Sequence, residues 1–334
     1  MSPTAILKSV DLVSEQQFHT HELSIPNELA GSRLDQALAE LLPEYSRSRL
    51  QGWIKAGSVQ VDGRVLRPRD KVVGGEHLSI HAPREAEVPM RPENIALNIV
   101  YQDEHLLVID KPAGLVVHPG AGNPASTLQN ALLHLRPGLV ELPRAGIIHR
   151  LDKDTTGLMV VAASIEAHTV LTRTLAAREI LREYQAIACG VMTAGGDISA
   201  PIGRASGDRR KMAVREGGRP AVTHYRVLER FRAHTHIRLK LETGRTHQIR
   251  VHMAHLRFPL VGDPVYGGRL RIPAKATQPL IQSLRGFHRQ ALHAARLGFA
   301  HPVSGEPVEW TSPLPRDMSQ LLKVMREDAR GLEQ

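Results

Sequence analysis

Aromatic side chains are scarce: five Phe, five Tyr and two Trp, 4% of 334 residues. A protein gripping single strands by stacking base after base on rings would need more of them. The single cysteine, Cys189, excludes an intrachain disulfide framework and a multi-cysteine zinc site. In Ala186-Ile187-Ala188-Cys189 it reads as a small buried apolar residue. No apolar run approaches the length of a membrane span, and Met1 to His21 lack the apolar core of a signal peptide. A soluble, cytoplasmic chain with no membrane partner is the expectation. Walker loops, H-E-x-x-H pairs, internal repeats and low-complexity tracts are missing too.

The chain does carry enough apolar residues, 42%, for a core, and its length suits one large domain plus a small one or two of middling size. Lys and Arg number 43 against 34 Asp and Glu, a net +9. That balance favours a polyanionic partner, nucleic acid before anionic membrane, although a basic enzyme that binds no polyanion has it as well.

The densest chemistry lies in Gly146–Ala162. Two short apolar runs, each reading as a buried strand end, flank an insert with His149, Arg150, Asp152, Lys153, Asp154, Thr155 and Thr156. Asp154-Thr155-Thr156-Gly157 reads as an Asx-type turn. Asp152 sits between Arg150 and Lys153, whose charges would favour its ionised form, and an ionised carboxylate can act as nucleophile or base. Spacing alone favours a structural loop carboxylate over a catalytic one.

Along the chain, residues 1–22 are polar and are expected to form a flexible tail. Residues 23–84 read as a compact unit. Ser32 would cap a helix Arg33–Leu42, stopped by Pro43, and Ser46 a second helix ending before Gly57. Asp62-Gly63 suits a type I′ turn, and Gly74-Gly75 turns into a strand around His77–Ile80. Arg47, Arg49 and Lys55 project from the second helix, as an RNA-facing surface or simply a solvated face. Residues 85–95, with Pro89 among charges, read as a linker. A large domain follows over 96–316, and 317–334 as a polar helical tail.

Within the large domain, Gly120–Ala125 satisfies G-x-G-x-x-G/A with Glu141 about 20 residues on, but Pro119 and Pro124 disturb the strand and the phosphate cradle. It reads instead as a loop capped by Ser126 into a helix. Gly203–Arg219, with Arg209, Arg210 and Lys211, is a cationic loop with a short hairpin, suited to phosphate contacts or merely an exposed insertion. Ile237–Leu241 alternates as a half-buried strand, after which Thr246 would cap a helix with Ile249, Met253 and Leu256 inward. His247, His252 and His255 cannot all share one helix face, so no metal is expected.

Residues 146–162 closely resemble the catalytic motif of the pseudouridine synthases that modify large-subunit ribosomal RNA. Two further runs are similar to that family: Lys111-Pro112-Ala113-Gly114-Leu115-Val116-Val117-His118-Pro119 and Thr243-Gly244-Arg245-Thr246-His247-Gln248-Ile249-Arg250-Val251-His252. The N-terminal unit resembles the RNA-binding module of the ribosomal protein S-four type, and the two-domain order fits the family's D type. The resemblance implies an α+β protein with a small RNA-binding module and a larger synthase domain built on a mixed, mainly antiparallel sheet. It implies Asp152 as catalytic carboxylate, Arg245 as its paired arginine and Tyr184 as the active-site tyrosine. RNA contacts would come from Arg47, Arg49, Lys55, His149, Arg150, Arg209, Arg210, Lys211, His247 and Arg250. Pseudouridylation breaks the uracil–ribose C–N bond, rotates the base and rejoins it through a ring carbon, so neither cofactor nor metal is expected. Asp152 would attack the nucleotide or deprotonate the sugar. The implied partner is large-subunit ribosomal RNA or its pre-ribosomal particle, met by a monomer. A non-catalytic ribosome-assembly factor, an RNA methyltransferase and a zinc hydrolase are the competing readings.

Overall fold

A computed structural model describes residues 18–330, apart from 44, 46, 84–90, 121, 209 and 210. The chain divides into two compact units at residues 89 and 90.

The first unit packs two helices, α1 (Leu34–Leu41) and α2 (Arg47–Lys55), on a three-stranded antiparallel sheet. Its strands are β1 (Phe18–Ser24), β2 (Val59–Val61) and β3 (His77–Pro83), in the order β1-β3-β2. Strand β3 alternates, burying Leu78, Ile80 and Ala82 against Leu34, Leu38, Leu50, Trp53 and Ile54. Residues 18–22 are therefore not tail: β1 pairs with β3 along its whole length, from Phe18–Pro83 to Ser24–His77. Its alternation carries His19, His21 and Leu23 on the partly buried face, so hydrophobic patterning gave a weak signal. Residues 1–17 and Ser46 lie outside the described residues. Ser32 does not cap α1. The first helical amides are met by distant carbonyls instead, Leu34 N–H by Asp70 O and Asp35 N–H by Pro68 O. Asp62 and Gly63 both take positive φ, 48° and 70°, and Val61 and Arg64 exchange backbone bonds, the geometry of a type I′ turn.

The second unit is built on a nine-stranded sheet. Its strands are β4 (Ile99–Gln102), β5 (Leu106–Lys111), β6 (Thr156–Ala162), β7 (Leu181–Cys189), β8 (Gly196–Ser199), β11 (Val222–Arg230), β12 (His234–Leu241), β13 (Leu292–Ala300) and β14 (Pro307–Thr311). The order is β4-β5-β6-β13-β7-β12-β11-β8, with β14 on β13. Only the β6–β13 pair is parallel, which makes the sheet mixed and mainly antiparallel. Strand β6 is buried over all seven residues, as a central strand must be. One face carries Leu107, Ile109, Met159, Val161, Ala186, Ile237 and Leu239 under helix α3 (Leu128–Leu135). The other carries Leu106, Val108, Leu158 and Val160 under helix α4 (Ile165–Ala176). Strands β9 (Ile202–Arg204) and β10 (Met212–Val214) form the short hairpin of the cationic loop.

Helix α3 is capped by Thr127, not Ser126. Thr127 and Asn130 form a reciprocal capping box, whereas Ser126 takes φ 56° and donates through N–H and Oγ to Glu93. The Gly120–Ala125 loop closes on itself, Gly120 and Asn123 exchanging backbone bonds, so those amides are not offered to a phosphate. Helix α7 (Arg316–Arg330) is no polar tail. Met318, Leu321, Leu322 and Met325 recur at helical spacing and bury against Leu280, Leu284 and Phe287 around helix α6 (Gln278–Gly286). Asp328, almost fully buried, ties the end down by accepting Arg232 Nη1 at 2.8 Å and Thr277 N–H at 2.7 Å.

Leu322→Ala is accordingly expected to destabilise the protein by about 2–5 kcal/mol, the cost of an unfilled core site. Urea unfolding would show a lower midpoint at unchanged slope; a midpoint equal to wild type would mean that α7 adds nothing to the core.

Candidate active site

The loop before β6 is pinned by backbone and by a buried ammonium. Thr155 N–H donates to Asp152 O at 3.0 Å and closes the turn, so it is the Asp152 backbone, not an Asp154 Asx turn, that shapes it. The Lys153 carbonyl accepts Gly114 N–H at 3.0 Å and Lys111 Nζ at 2.8 Å. Lys111 is fully buried, and its other donors reach Pro112 O at 2.7 Å and Leu115 O at 3.0 Å. Burial pushes its ammonium down to about 8, against the pull of Asp154 and Asp152. Arg289 Nη1 holds Asp154 O and Gln290 Nε2 holds Thr155 Oγ1. Upstream, Gly146–Ile148 is not a strand; its backbone pairs with the sheet through an isolated Ile147–Val161 bridge.

His149 also braces this loop. Its Nε2 accepts Val160 N–H from β6 at 3.1 Å, which requires an unprotonated nitrogen there. Burial, with the Arg182 charge adding, pushes it down to about 3. Nε2 is thus engaged by the sheet, while the ring also lines the pocket and the adjoining cleft.

The arginine paired with Asp152 is Arg250, not Arg245. Arg250 Nη1 donates to Asp152 Oδ2 at 2.9 Å, and its Nε and Nη2 form a fork on Asp263 at 2.7 and 2.9 Å. Burial opposes the guanidinium charge, but the Asp263 and Asp152 carboxylates outweigh it and raise its pKa above the ordinary value. Burial likewise works against the Asp263 charge, while Arg250 and the amides of Tyr266 and Val265 hold its pKa down. Arg245 fails as partner because of the turn it sits on. Strand β12 ends at Leu241 and helix α5 (Gln248–His255) starts only after His247, whose φ is 55°. Gln248 Oε1 accepts Arg245 N–H and Thr243 Oγ1, filling the role expected of Thr246, which is exposed. Arg245 then donates Nε to Pro220 O on the rim. Arg250, two residues into α5, faces inward with its side chain 5% exposed and is occupied by carboxylates instead of RNA.

Tyr266 joins this network. Its ring lies 5.1 Å from the Arg250 guanidinium, and its hydroxyl accepts Met212 N–H and bonds His247 Nδ1 at 2.9 Å. His247 Nε2 lies 3.9 Å from Asp152 Oδ1. Tyr184, 6% exposed, projects from β7 into the same pocket, and burial raises its phenol pKa. Asp152, Tyr184, Arg245, His247, Arg250, Arg150 and Arg182 all line this pocket, and a basic cleft adjoins it with Arg144, Arg178 and Arg245 on its walls.

The remaining predicted contacts are scattered. Lys211 is exposed beside β10, while Arg209 and Arg210 lie outside the described residues. In the first unit, Arg47 donates to the fully buried Asp35 at 2.9 Å, and Lys55 is exposed. Arg49 lies 6.0 Å from the Tyr45 and Trp53 rings. Lys111, Arg182, Asp263 and Tyr266 were not singled out from the sequence, although a lysine ending an apolar strand and the Gly262-Asp263-Pro264 turn were visible signals. Cys189 is only partly buried, its thiol pushed up to about 11 by burial. No His, Cys, Asp and Glu cluster that could hold a metal occurs among the described residues.

The family profile for RNA pseudouridylate synthase matches residues 105–255 and that for the S4 domain residues 32–78. Ribosomal large subunit pseudouridine synthase D of Pseudomonas aeruginosa is 62% identical over 304 residues, 91% of this chain and 95% of that protein. The chain belongs to the RNA pseudouridine synthase family. The synthase of the same name from Escherichia coli K12 is 58% identical over 299 residues, 89% of this chain and 92% of that one. The solved structure of human RNA pseudouridylate synthase domain containing 4 aligns at a TM-score of 0.54 with 28% identity, covering 69% of this synthase and 93% of that chain. This synthase is thus an isomerase with an N-terminal S4 domain.

The neutral His149 has a consequence for stability. Its folded pKa lies below its ordinary value of 6.5, so the unfolded chain takes up the proton first. The stabilisation is present above about pH 6.5 and is lost as pH falls toward 3. His149→Gln, whose amide oxygen can accept from Val160 N–H without titrating, should flatten this part of a urea-midpoint profile against pH. A profile as steep as wild type would place the proton uptake elsewhere.

Proposed function

We propose that this synthase isomerises specific uridines of large-subunit ribosomal RNA, with Asp152 as the catalytic carboxylate. The substrate assignment draws on the names of its relatives. The observation that carries the residue assignment is the Asp152 carboxylate, 16% exposed at a pocket and held by a guanidinium that is itself forked on Asp263. Whether the carboxylate attacks the nucleotide or removes a sugar proton, it must be ionised and aimed. Arg250 bonds one of its oxygens and fixes its direction. Tyr184 stands beside the base position to stack on it or relay a proton. The isomerisation is redox-neutral, so the reading needs no cofactor and no metal.

The target uridine must leave its stack, at a cost of a few kcal/mol. The arginines of the cleft beside the pocket, Arg144, Arg150 and Arg245, can offset this through phosphates. In the S4 domain Arg47, Arg49 and Lys55 would bind structured RNA, either free or in a pre-ribosomal subunit. The protein acts as a monomer in the cytoplasm.

Asp152→Asn should abolish pseudouridine formation, followed by tritium release from labelled uridine in RNA, with melting temperature and RNA affinity near wild type. Substantial turnover by the folded variant would sink the assignment. Arg250→Lys should lose roughly 100-fold, because a point charge cannot hold two carboxylates in register, whereas Arg245→Lys should lose less. The reverse order would restore Arg245 as the partner.

Arg49→Ala and Lys55→Ala together test the S4 domain. Each phosphate that a side chain neutralises adds roughly 0.7 to 0.9 to the slope of log affinity against log salt, so the double variant should show a correspondingly shallower salt dependence. Slopes equal to wild type on a long ribosomal RNA fragment would exclude these two side chains from the interface.

A further inference from the structure

Arg182 lies two residues before Tyr184 on β7, so both side chains occupy the same strand face, which is otherwise apolar at Ala186. An arginine there is anomalous. It is only 6% exposed. Among the described residues its one hydrogen bond runs from Nη2 to the Glu242 carbonyl at 3.1 Å, and its Nε has no partner. Among the described residues no carboxylate lies within ion-pair distance of it. Every other deeply buried cation of this unit is satisfied. Lys111 spends three donors on carbonyls, and Arg250 sits between two aspartates. A buried guanidinium without a counter-charge costs stability.

Its position says what the charge is for. Arg182 lines both the pocket holding Asp152 and Tyr184 and the adjoining basic cleft, standing where the two meet. Gly244 faces it, and a Cβ at that position would come within 2.8 Å of Arg182 Nη1. The glycine therefore keeps the guanidinium tip clear on the pocket side. A nucleotide whose base enters the pocket must pass its own backbone through this junction, since base and cleft are joined only by the sugar and its phosphates.

We propose that Arg182 is a substrate-binding residue that takes a non-bridging oxygen of a phosphodiester flanking the target uridine. The inference rests on the RNA-uridine reading above. Binding supplies the missing counter-charge, so a phosphate is recognised at a site desolvated in advance, where a charge-assisted bond counts for more than on the open rim. It also fixes the sugar relative to Asp152. The contact is made by a nucleotide already flipped, and its removal shows at the reacting complex more than in overall RNA affinity, which the many exposed cations carry.

The test uses the full-length protein and a ribosomal RNA fragment that wild type modifies, with one neutral methylphosphonate placed either 5′ or 3′ of the target uridine. On wild type, one of the two linkages should lower kcat/KM by about 10- to 100-fold, the weight of a hydrogen bond to a charged group. Arg182→Gln should lower kcat/KM on unmodified RNA by a similar factor and should lose nothing further on that linkage. Arg182→Lys should fall between. If the glutamine variant does not fold, the lysine variant carries the same comparison, and the wild-type measurement stands without either. A merely structural arginine would lower the melting temperature but leave the linkage as costly in the variants as in wild type, and that result overturns the proposal. So does a wild type indifferent to both linkages. Absence of pseudouridine from wild type on unmodified RNA would instead remove the uridine reading itself, and the proposal with it.

Discussion

One guanidinium holds the site together. Arg250 reaches Asp152 from helix α5 with one nitrogen and Asp263 from the following loop with two, joining segments 98 and 13 residues away in sequence. A single pair of buried charges would leave unmet donors or lone pairs and a desolvation cost that mutual attraction hardly covers. Here the second carboxylate and the Val265 and Tyr266 amides complete the shell. The network therefore sets the direction of the Asp152 carboxylate, which lines the pocket. Asp263 is not at the reacting atoms, yet without it Arg250 would have no fixed direction to offer Asp152.

Lys111 does for the backbone what Arg250 does for the side chain. It gathers the carbonyls of residues 112, 115 and 153, so the strand carrying it and the Asp152 loop cannot drift apart. A carboxylate loop tied at its carbonyls, its hydroxyls and its preceding histidine loses little freedom on binding substrate. Pre-organisation of this kind lowers the reorganisation left for the chemical step. The flexible partner in the reaction is then the RNA, which must distort to bring one uridine out.

Much of this was legible in the sequence, and the failures have physical causes. The α+β class, both units, the type I′ turn at Asp62-Gly63, and the convergence of Asp152 with Tyr184 rested on local patterns and long motifs. Choosing Arg245 over Arg250 was an error about a turn. The residue nearest the strand end looked the better mounted, but Gln248 takes over the turn and sends Arg245 to the rim. Helical spacing held the remedy, since Arg250 lies three residues before the inward-facing Met253 and so beside the buried stripe. Strand β1 escaped because its alternating residues are mostly histidines and other polar groups. The roles of Lys111 and Asp263 depend on contacts between segments distant in the chain, which periodicity does not encode.

Net charge conceals the distinction on which recognition of a polyanion turns. Several arginines are consumed within the fold: Arg289 on Asp317, Arg296 on Glu309, Arg326 on Glu229 and Arg232 on Asp328. Each cancels an acid beside it and contributes little field at a distance of a Debye length. The excess of basic residues must then be felt where partners are missing. In the catalytic unit the cleft beside the Asp152 pocket is such a place, with Arg144, Arg150, Arg182 and Arg245 on its walls and Glu242, engaged by Arg178 and His224, as the one acid lining it. Exposed cations there can release counterions and hold RNA without regard to sequence. The buried one cannot act until a nucleotide is brought to it. On the phosphate role proposed for Arg182, affinity and turnover would draw on different arginines of one cleft, divided by burial rather than by charge.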